Sequence, residues 1–274
     1  MKVFCILSDE RAMQLKSPEV FGRILERAGI RAAYVPFCVK PADLGKAFES
    51  LKILNVAGAN ITVPYKEAAV GHMDVLSEGA NIIGAVNTVV ISAGQLKGYN
   101  TNAIGFMDAL GEIGFETAGC RAVVLGTGGA ARSAVFILSW LRSAELTVAG
   151  RSVQKAKRLT RDFGGRAVSL EALTAEPLSA DLIVNATSVS SARESEALAE
   201  LAAGIRPTGC RLVFDFNYGR RENIWEQLAA RADARFTDGI RALAFQARRT
   251  FALWTGIQIP AAEIMPMIES AAPN

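Results

Sequence analysis

A glycine-rich turn near the middle of the chain is the feature that most limits what this sequence can fold into. It lies within Arg121–Arg132, which reads Arg-Ala-Val-Val-Leu-Gly-Thr-Gly-Gly-Ala-Ala-Arg. Ala122–Leu125 is a short apolar run typical of a buried parallel strand, and Ala130–Leu141 is good helix material. A strand, a glycine turn and a helix in this order predict a diphosphate site, because the helix N-terminus offers free N–H groups and the glycines let the ligand approach.

The turn fits the pattern G-x-G-x-x-G/A with Gly126, Gly128 and Ala131. The chain after it alternates strands and helices, with strands expected over Leu146–Ala149, Asp181–Asn185 and Arg211–Phe214. Such alternation is typical of a parallel sheet covered on both faces, so a Rossmann-type doubly wound parallel sheet domain is predicted here. Since the turn begins near the middle of the chain, a separate structure must occupy the first half.

The first half predicts a second α/β domain whose sheet contains strands of both directions. Strands are expected over Val3–Leu7, Ala32–Val39 and Val56–Val63. The expected strands Ala85–Ser92 and Gln95–Tyr99 join at Ala93-Gly94, which is a hairpin signal and implies antiparallel pairing. The predicted fold class is therefore α/β, with the doubly wound parallel sheet domain and a separate mixed-sheet domain.

Composition excludes several classes of protein. The chain has 274 residues, half of them apolar, and a net charge of only +3 without a run of Lys and Arg. This balance predicts no nucleic-acid partner, and the lack of an apolar stretch of about 18 residues predicts no membrane span. We expect a soluble, cytoplasmic protein with reduced, widely spaced cysteines. The single histidine, His72, is predicted to lie on the surface, and no metal site is expected.

The strand that follows the glycine turn predicts the cofactor. It ends at Ala149-Gly150 and is followed by Arg151, Ser152 and Lys155. A site that prefers NAD places Asp or Glu here to bind the ribose 2′-OH, whereas a guanidinium can bind a 2′-phosphate. NADP is therefore favoured over NAD. The alternative is that Arg151 is a solvated residue at the end of a strand.

Four further polar motifs lie in the first half, where Lys66 comes soon after Pro64, the residue expected to end a strand. They are Lys16-Ser17-Pro18, Asn60 to Glu67, Gly84 to Thr88 and Tyr99 to Asn102. With these motifs and the glycine turn, the sequence resembles the shikimate/quinate dehydrogenase family. The resemblance covers nearly the whole chain and continues through Asn185-Ala186-Thr187, Asp215 to Tyr218 and Gln246 to Gly256.

The resemblance implies a two-domain enzyme that binds a small-molecule substrate in a cleft, against the nicotinamide of NADP. The substrate-binding domain is expected over residues 1–102 and 239–274, and the NADP-binding Rossmann domain over residues 103–238. The implied activity is reversible hydride transfer between a shikimate-like or quinate-like cyclic hydroxy acid and the nicotinamide, as used in aromatic amino acid biosynthesis. The oligomeric state stays open, with a homodimer as one option.

The resemblance also implies roles for particular residues. Lys66 matches the family's acid/base lysine, and Asn102 occupies the position of its catalytic aspartate. The implied substrate-binding residues are Ser17, Thr62, Asn87, Tyr218 and Gln246. The implied cofactor-binding residues are Gly126, Thr127, Gly128, Gly129, Ala130, Arg151, Ser152, Lys155, Thr187 and Gly239.

Two departures from the family pattern weaken the case for shikimate as the preferred substrate. Leu15 replaces the first of two serines that bind the substrate carboxylate, which would leave part of that group unpaired at a cost of ~1–3 kcal/mol. Asn102 cannot accept a proton or carry charge, and losing a nearby carboxylate favours the neutral form of Lys66.

Two further functions stay open, and these departures motivate the first of them. The first is a cofactor-binding protein with little or no shikimate activity, repurposed for another substrate or for regulation. The second is a different Rossmann enzyme, such as a folate or tRNA-linked dehydrogenase, and it rests on the glycine turn alone.

Overall fold

Two six-stranded sheets organise the part of the chain that the structure describes. The structure is a computed structural model that describes residues 1–271, so residues 272–274 of the predicted substrate-binding domain lie outside the described residues. The chain divides into a first unit, Met1–Gly105 with the segment from Leu243 onwards, and a second unit, Phe106–Ala242. Within residues 1–271, no helix has the length and apolar character that a membrane span requires.

The sheet of the first unit is mixed, in the order β2-β1-β3-β5-β6-β4. Its strands are β1 (Lys2–Ser8), β2 (Ala32–Cys38), β3 (Gly58–Ile61), β4 (Val75–Leu76), β5 (Thr88–Ser92) and β6 (Gln95–Tyr99). The strands β5 and β6 pair antiparallel on either side of Ala93-Gly94, so the predicted hairpin is confirmed. Its helices are α1 (Ser17–Arg27), α2 (Leu44–Ile53) and α3 (Glu78–Ile83), with 3-10 helices at Glu10–Gln14, Pro41–Asp43 and Ala68–His72.

The second unit contains an all-parallel sheet in the order β14-β13-β11-β7-β8-β9. Its main strands are β7 (Arg121–Leu125), β8 (Glu145–Ala149), β9 (Arg166–Val168), β11 (Leu182–Asn185), β13 (Leu212–Asp215) and β14 (Arg235–Thr237). Two short strands, β10 (Leu178–Ser179) and β12 (Pro207–Thr208), pair separately. The chain order of the main strands is 3-2-1-4-5-6 across the sheet, which is the Rossmann order and confirms the predicted fold class.

Helices connect the strands of the second unit, and two helices belong partly to each unit. The connecting helices are α5 (Gly129–Trp140), α6 (Val153–Phe163), α7 (Ala172–Ala175), α8 (Glu196–Gly204) and α9 (Ile224–Arg231). The helices α4 (Thr101–Glu112) and α10 (Ile240–Thr255) cross the boundary between the units. The last helix, α11 (Ala261–Ala271), lies in the first unit.

The C-terminal half of α10 is anchored in the sheet of the first unit by Trp254. The indole N–H of Trp254 donates to the carbonyl of Val89 at 2.9 Å, and its ring stacks on Phe4 at 4.8 Å. A Cβ atom at Gly58 would lie 2.3 Å from Nε1 of Trp254, so only glycine leaves room for this ring. This packing brings residues from the end of the chain to a sheet built from its first hundred residues.

Two predicted elements differ from the structure near Lys66. The strand expected over Val56–Val63 is shorter, at Gly58–Ile61, and the helix expected over Lys66–Met73 is a 3-10 helix at Ala68–His72. Proline has no N–H to donate, and Pro64 follows the strand closely, so the chain turns there. Lys66 consequently lies in the turn rather than in a helix.

Candidate active site

Lys66 lies in the turn that leaves β3. Thr62, the first residue after β3, donates its backbone N–H to the carbonyl of Leu7 at 3.2 Å and accepts from the N–H of Tyr65 at 2.9 Å. The carbonyl of Lys66 accepts from the N–H of Val86 at 2.8 Å. The backbone of the turn is thereby tied to two other segments of the first unit.

The side chain of Lys66 is half-buried, and burial lowers the pKa of its ammonium group to about 8. No ion pair between Lys66 and a carboxylate is found among residues 1–271. A charged amine loses solvation when it is buried and regains little without an opposite charge nearby. An amine with a pKa of about 8 can gain or lose a proton close to neutral pH.

Asn87 and Asn102 meet at the start of α4. Asn87 is 3% exposed, and its Nδ2 donates to Oδ1 of Asn102 at 3.0 Å and to Oγ1 of Thr101 at 2.8 Å. Its Oδ1 accepts the backbone N–H of Thr101 at 2.6 Å. The structure therefore brings these two predicted residues into direct contact in the first unit.

Three buried hydroxyls form a closed set beneath Asn87, which we call the threonine ring: Thr88, Thr101 and Thr250. Their Oγ1 atoms lie 2.9, 2.9 and 3.0 Å apart. Three side-chain amides also contact the ring, one at each hydroxyl: Asn60 with Thr88 at 3.3 Å, Asn87 with Thr101 at 2.8 Å, and Gln246 with Thr250 at 2.8 Å. Gln246 is predicted to bind substrate, and the ring links it to Asn87.

Ser17 is the first residue of α1 and lies half-buried, close to Leu15 in the chain. Burial raises the pKa of the Tyr34 phenol well above its usual value, while a hydrogen bond with Ser17 opposes that shift. The Tyr34 hydroxyl also donates to Oδ1 of Asn60 at 2.8 Å. Polar contacts thus run from Ser17 through Tyr34 and Asn60 to the threonine ring.

In the second unit, the glycine turn connects β7 to α5. Gly126 adopts a φ of +123°, and a Cβ atom there would lie 2.7 Å from the carbonyl oxygen of Ala186. Gly128 caps α5, and within the described part of the chain no side chain accepts from the first N–H groups of this helix. A Cβ at Gly128 would meet no heavy atom within 4 Å among residues 1–271. An open helix N-terminus with close backbone approach fits a diphosphate.

The other predicted residues of this turn lie beside these two glycines. The Cγ2 methyl of Thr127 lies 2.6 Å from the position that a Cβ at Gly150 would occupy. Gly129 and Ala130 are the first two residues of α5. This packing holds the glycine turn against the carboxyl end of β8, where the predicted 2′-phosphate residues begin.

Arg151, Ser152 and Lys155 lie where β8 leads into α6. The Ser152 hydroxyl caps α6 by accepting the N–H of Lys155 at 3.3 Å, as expected of a serine placed just before a helix. Arg151 is exposed and has no ion pair among the residues that the structure describes. A free guanidinium beside a helix N-terminus suits a phosphate.

Thr187 and Asn217 lie on the two loops that follow β11 and β13, and a buried carboxylate joins them. Asp215 accepts N–H groups from Asn185 at 2.8 Å, from the backbone of Asn217 at 3.0 Å and from Asn223 at 2.8 Å. Burial raises the pKa of Asp215, and these hydrogen bonds oppose the rise. Asp215 therefore holds the loops together from beneath.

Two further predicted residues lie on or beside the loop after β13, in the second unit. Tyr218 is half-buried, and burial raises the pKa of its phenol. Gly239 donates its N–H to the carbonyl of Asn217 at 3.0 Å, and a Cβ there would lie 2.2 Å from the carbonyl oxygen of Phe216. Tyr218 thus belongs to the unit that contains the glycine turn, whereas the other predicted substrate residues belong to the first unit.

Changing Gly126 to alanine is expected to lower the free energy of unfolding by ~1–3 kcal/mol, because the new methyl group clashes with Ala186 and the backbone is left-handed. Urea unfolding of both proteins measures the difference. The matched control is Gly111→Ala in α4, where a Cβ meets no heavy atom within 4 Å in the described chain. The control should be neutral or stabilising by up to ~1 kcal/mol. Equal effects at both positions would contradict the close approach at Gly126.

Tyr34, Asn60, Thr88, Thr101 and Thr250 are polar site residues that were not predicted as such from the sequence. Thr250 follows Gln246 by four residues, so the two share a face of α10 and contact each other. A buried polar residue on an otherwise apolar face is the one local signal that could have identified it. Among residues 1–271, no cluster of three or more His, Cys, Asp or Glu could hold a metal ion.

The chain matches two family models. Residues 11–89 match the shikimate dehydrogenase substrate binding domain, and residues 109–235 match shikimate / quinate 5-dehydrogenase. Two curated relatives are both described as shikimate dehydrogenase (NADP(+)). The protein of Moorella thermoacetica is 35% identical over 263 residues, covering 93% of this chain and 88% of its own. That of Pyrococcus furiosus is 37% identical over 242 residues, covering 88% and 85%.

The structure is similar to solved structures of the same kind. Shikimate 5-dehydrogenase from Thermus thermophilus, solved in complex with NADP(H) and shikimate, is 32% identical with a TM-score of 0.85. The match covers 99% of this chain and all of that one. The likeness therefore extends over both units rather than over the Rossmann sheet alone.

Proposed function

The chain belongs to the shikimate/quinate dehydrogenase family and is an NADP-dependent oxidoreductase acting on CH–OH groups, and we propose that Lys66 carries the proton of the reacting hydroxyl. The proposed substrate is shikimate or a closely related cyclic hydroxy acid. The observation that supports Lys66 is its half-buried amine, whose pKa of about 8 suits proton exchange near neutral pH.

The proposed chemistry separates a proton from a hydride. In oxidation, the neutral amine of Lys66 takes the hydroxyl proton while the hydrogen on the same carbon leaves with its electron pair, and the C–O bond becomes a carbonyl. In reduction, the ammonium form of Lys66 returns the proton to the oxygen. NADP, when bound, supplies the acceptor or donor of the hydride. The chain's own residues therefore have to bind the substrate, exclude water and move one proton.

The residues of the second unit fit the cofactor. Gly126, Gly128 and the first turn of α5 would hold the diphosphate, because this helix end is open and a side chain at Gly126 would clash. Arg151, with Ser152 and Lys155 at the start of α6, would hold the 2′-phosphate. Thr187 and Gly239 belong to loops tied together through Asn217, and we propose that these loops bind the nicotinamide half.

The part of the proposed site that would bind the substrate carboxylate has fewer hydroxyl groups than the family pattern provides. Ser17 would supply the one hydroxyl that remains of the family's pair. Leu15 offers no donor where the family has a second serine. We propose that the enzyme turns over shikimate with a raised KM, because losing one hydrogen bond to a charged group costs about 1.5–3 kcal/mol.

The direct test is turnover of NADP+ by the purified protein with shikimate and quinate, followed across pH. We expect turnover, with kcat/KM for oxidation falling about tenfold per pH unit below the Lys66 pKa of about 8, because the base must be neutral. Reduction of the corresponding ketone should instead fall above that pH, because the acid must be protonated.

A loss of oxidation at low pH together with a loss of reduction at high pH would support a single acid/base group at the reacting oxygen. Absence of turnover for every cyclic hydroxy acid tried would contradict the proposed function and favour a cofactor-binding protein without catalysis. If the oxidation and reduction rates instead change in the same direction with pH, Lys66 is not the group that transfers the proton, although the enzyme is still active.

A further inference from the structure

The orientation of the Asn87 amide is set by a backbone group. The backbone N–H of Thr101 donates to one of the two terminal atoms of this amide, at 2.6 Å. A backbone N–H can only donate, so the atom it meets must be Oδ1 of Asn87. The other end of this amide is therefore Nδ2, which can only donate.

The orientation of Asn87 sets that of Asn102. Nδ2 of Asn87 lies 3.0 Å from one end of the Asn102 amide, and that end must accept, so it is Oδ1. The other end of Asn102 is therefore Nδ2. No protein acceptor contacts this Nδ2 among the described residues, and the side chain is half-buried. Its two N–H groups are left available to a ligand.

The threonine ring leads independently to the same orientation of Asn87. Three mutual contacts need three donated protons, and three hydroxyls supply no more than three. Each amide that also contacts the ring must therefore donate through nitrogen. Asn60 agrees, because its Nδ2 also meets the carbonyl oxygen of Asn87 at 3.1 Å, which can only accept.

The same rule fixes the polarity of Gln246. Its Nε2 donates to Thr250, so its Oε1 faces away from the ring, and no hydrogen bond to that oxygen is found within residues 1–271. The first unit thus presents an acceptor at Gln246 and a donor at Asn102.

We propose that the Asn102 amide donates a hydrogen bond to the oxygen on the reacting carbon, and so binds the ketone form more tightly than a carboxylate at this position could. The inference rests on the proposed function, because it concerns the same substrate oxygen as Lys66. A ketone oxygen has lone pairs and no proton, so it can accept from Asn102 but cannot donate to a carboxylate. Asn87 and the threonine ring act as positioning residues.

The contrast with the family's aspartate is confined to one atom. Asp and Asn have the same shape, and either would accept from Nδ2 of Asn87 through the inner oxygen. Only the other terminal atom of residue 102, which does not contact Asn87, changes: it is a donating NH₂ group in Asn and an accepting, charged oxygen in Asp. The variant Asn102→Asp therefore reverses polarity at the substrate while keeping the contact that holds residue 102 in place.

The test measures dissociation constants of shikimate and of the ketone formed from it, by calorimetry, for the parent and for Asn102→Asp. We expect the ketone-to-shikimate ratio of dissociation constants to rise at least about tenfold in the variant, equal to about 1.4 kcal/mol. Asn81→Asp, an exposed change in α3 that adds the same charge, is the control and should leave the ratio unchanged. Asn102→Ala should weaken the ketone more than shikimate.

The measured dissociation constants distinguish a failure of this inference from a failure of the proposed function. A parent that binds both compounds, with a ratio unmoved or lowered by Asn102→Asp, overturns the inference and leaves the proposed function intact. A parent that binds neither compound overturns both. A tenfold rise that Asn81→Asp also produces would assign the effect to net charge and overturn the inference as well.

Discussion

Replacing Lys66 by methionine is expected to lower kcat about 10²- to 10⁴-fold in both directions, the usual contribution of a positioned acid or base. Methionine keeps the length and the apolar stem but cannot take or give a proton. Because the amine is half-buried and loses solvation there, removing its charge should not weaken the fold. Steady-state rates measure the loss, and thermal unfolding verifies that the variant is folded.

The matched control is Lys46→Met, in α2 of the same unit. Lys46 is exposed and its ammonium group lies 3.3 Å from Asp43, a surface ion pair that contributes little to stability. We expect kcat within about twofold of the parent, since surface changes of this kind act weakly. A Lys66→Met variant that keeps more than a tenth of the parent's kcat would assign the proton step to another group or to water.

Local sequence signals predicted the second unit well. The glycine turn, the short apolar run before it and the helix after it all lie within about twenty residues, and each follows from steric or hydrogen-bonding rules that act locally. Ser152 is a similar case, because a serine placed before a helix caps it through its own side chain. Such signals need no knowledge of distant parts of the chain.

The threonine ring could not be predicted in the same way. Thr88 and Thr250 are 162 residues apart, and their contact depends on how α10 packs on the first unit. A threonine in a strand is typical of any pleated surface, so Thr88 alone indicates nothing about a polar network. The donor and acceptor polarity of Asn102 was also beyond the sequence, because it depends on a chain of contacts through Asn87.

The family resemblance supplied the candidate residues that local rules could not. It predicted Lys66, Asn87 and Gln246 together although the last lies far along the chain, and the structure places all three in the first unit. Their roles stay predictions, since residues at matching positions need not keep their function once neighbours such as Leu15 and Asn102 differ. The physical arguments for these roles therefore rest on contacts and burial in this chain.

Replacing Arg151 by alanine is expected to raise the dissociation constant for NADP about 30- to 150-fold, and that for NAD less than about threefold. The range corresponds to the loss of a hydrogen bond to a charged group, about 2–3 kcal/mol. Arg151 is exposed and free of ion pairs among residues 1–271, so its guanidinium needs no rearrangement before it meets a phosphate. Fluorescence titration of the reduced cofactors measures both constants.

The ratio of the two constants is the decisive quantity, because NADP and NAD differ by the 2′-phosphate alone. General damage to the cofactor site would weaken both cofactors together, and its effect would cancel in the ratio. Arg158→Ala removes the same charge from an exposed position of α6, so it controls for the overall field of this basic helix. Equal losses of NADP affinity in both variants would mean that the 2′-phosphate is attracted by diffuse charge rather than bound by Arg151.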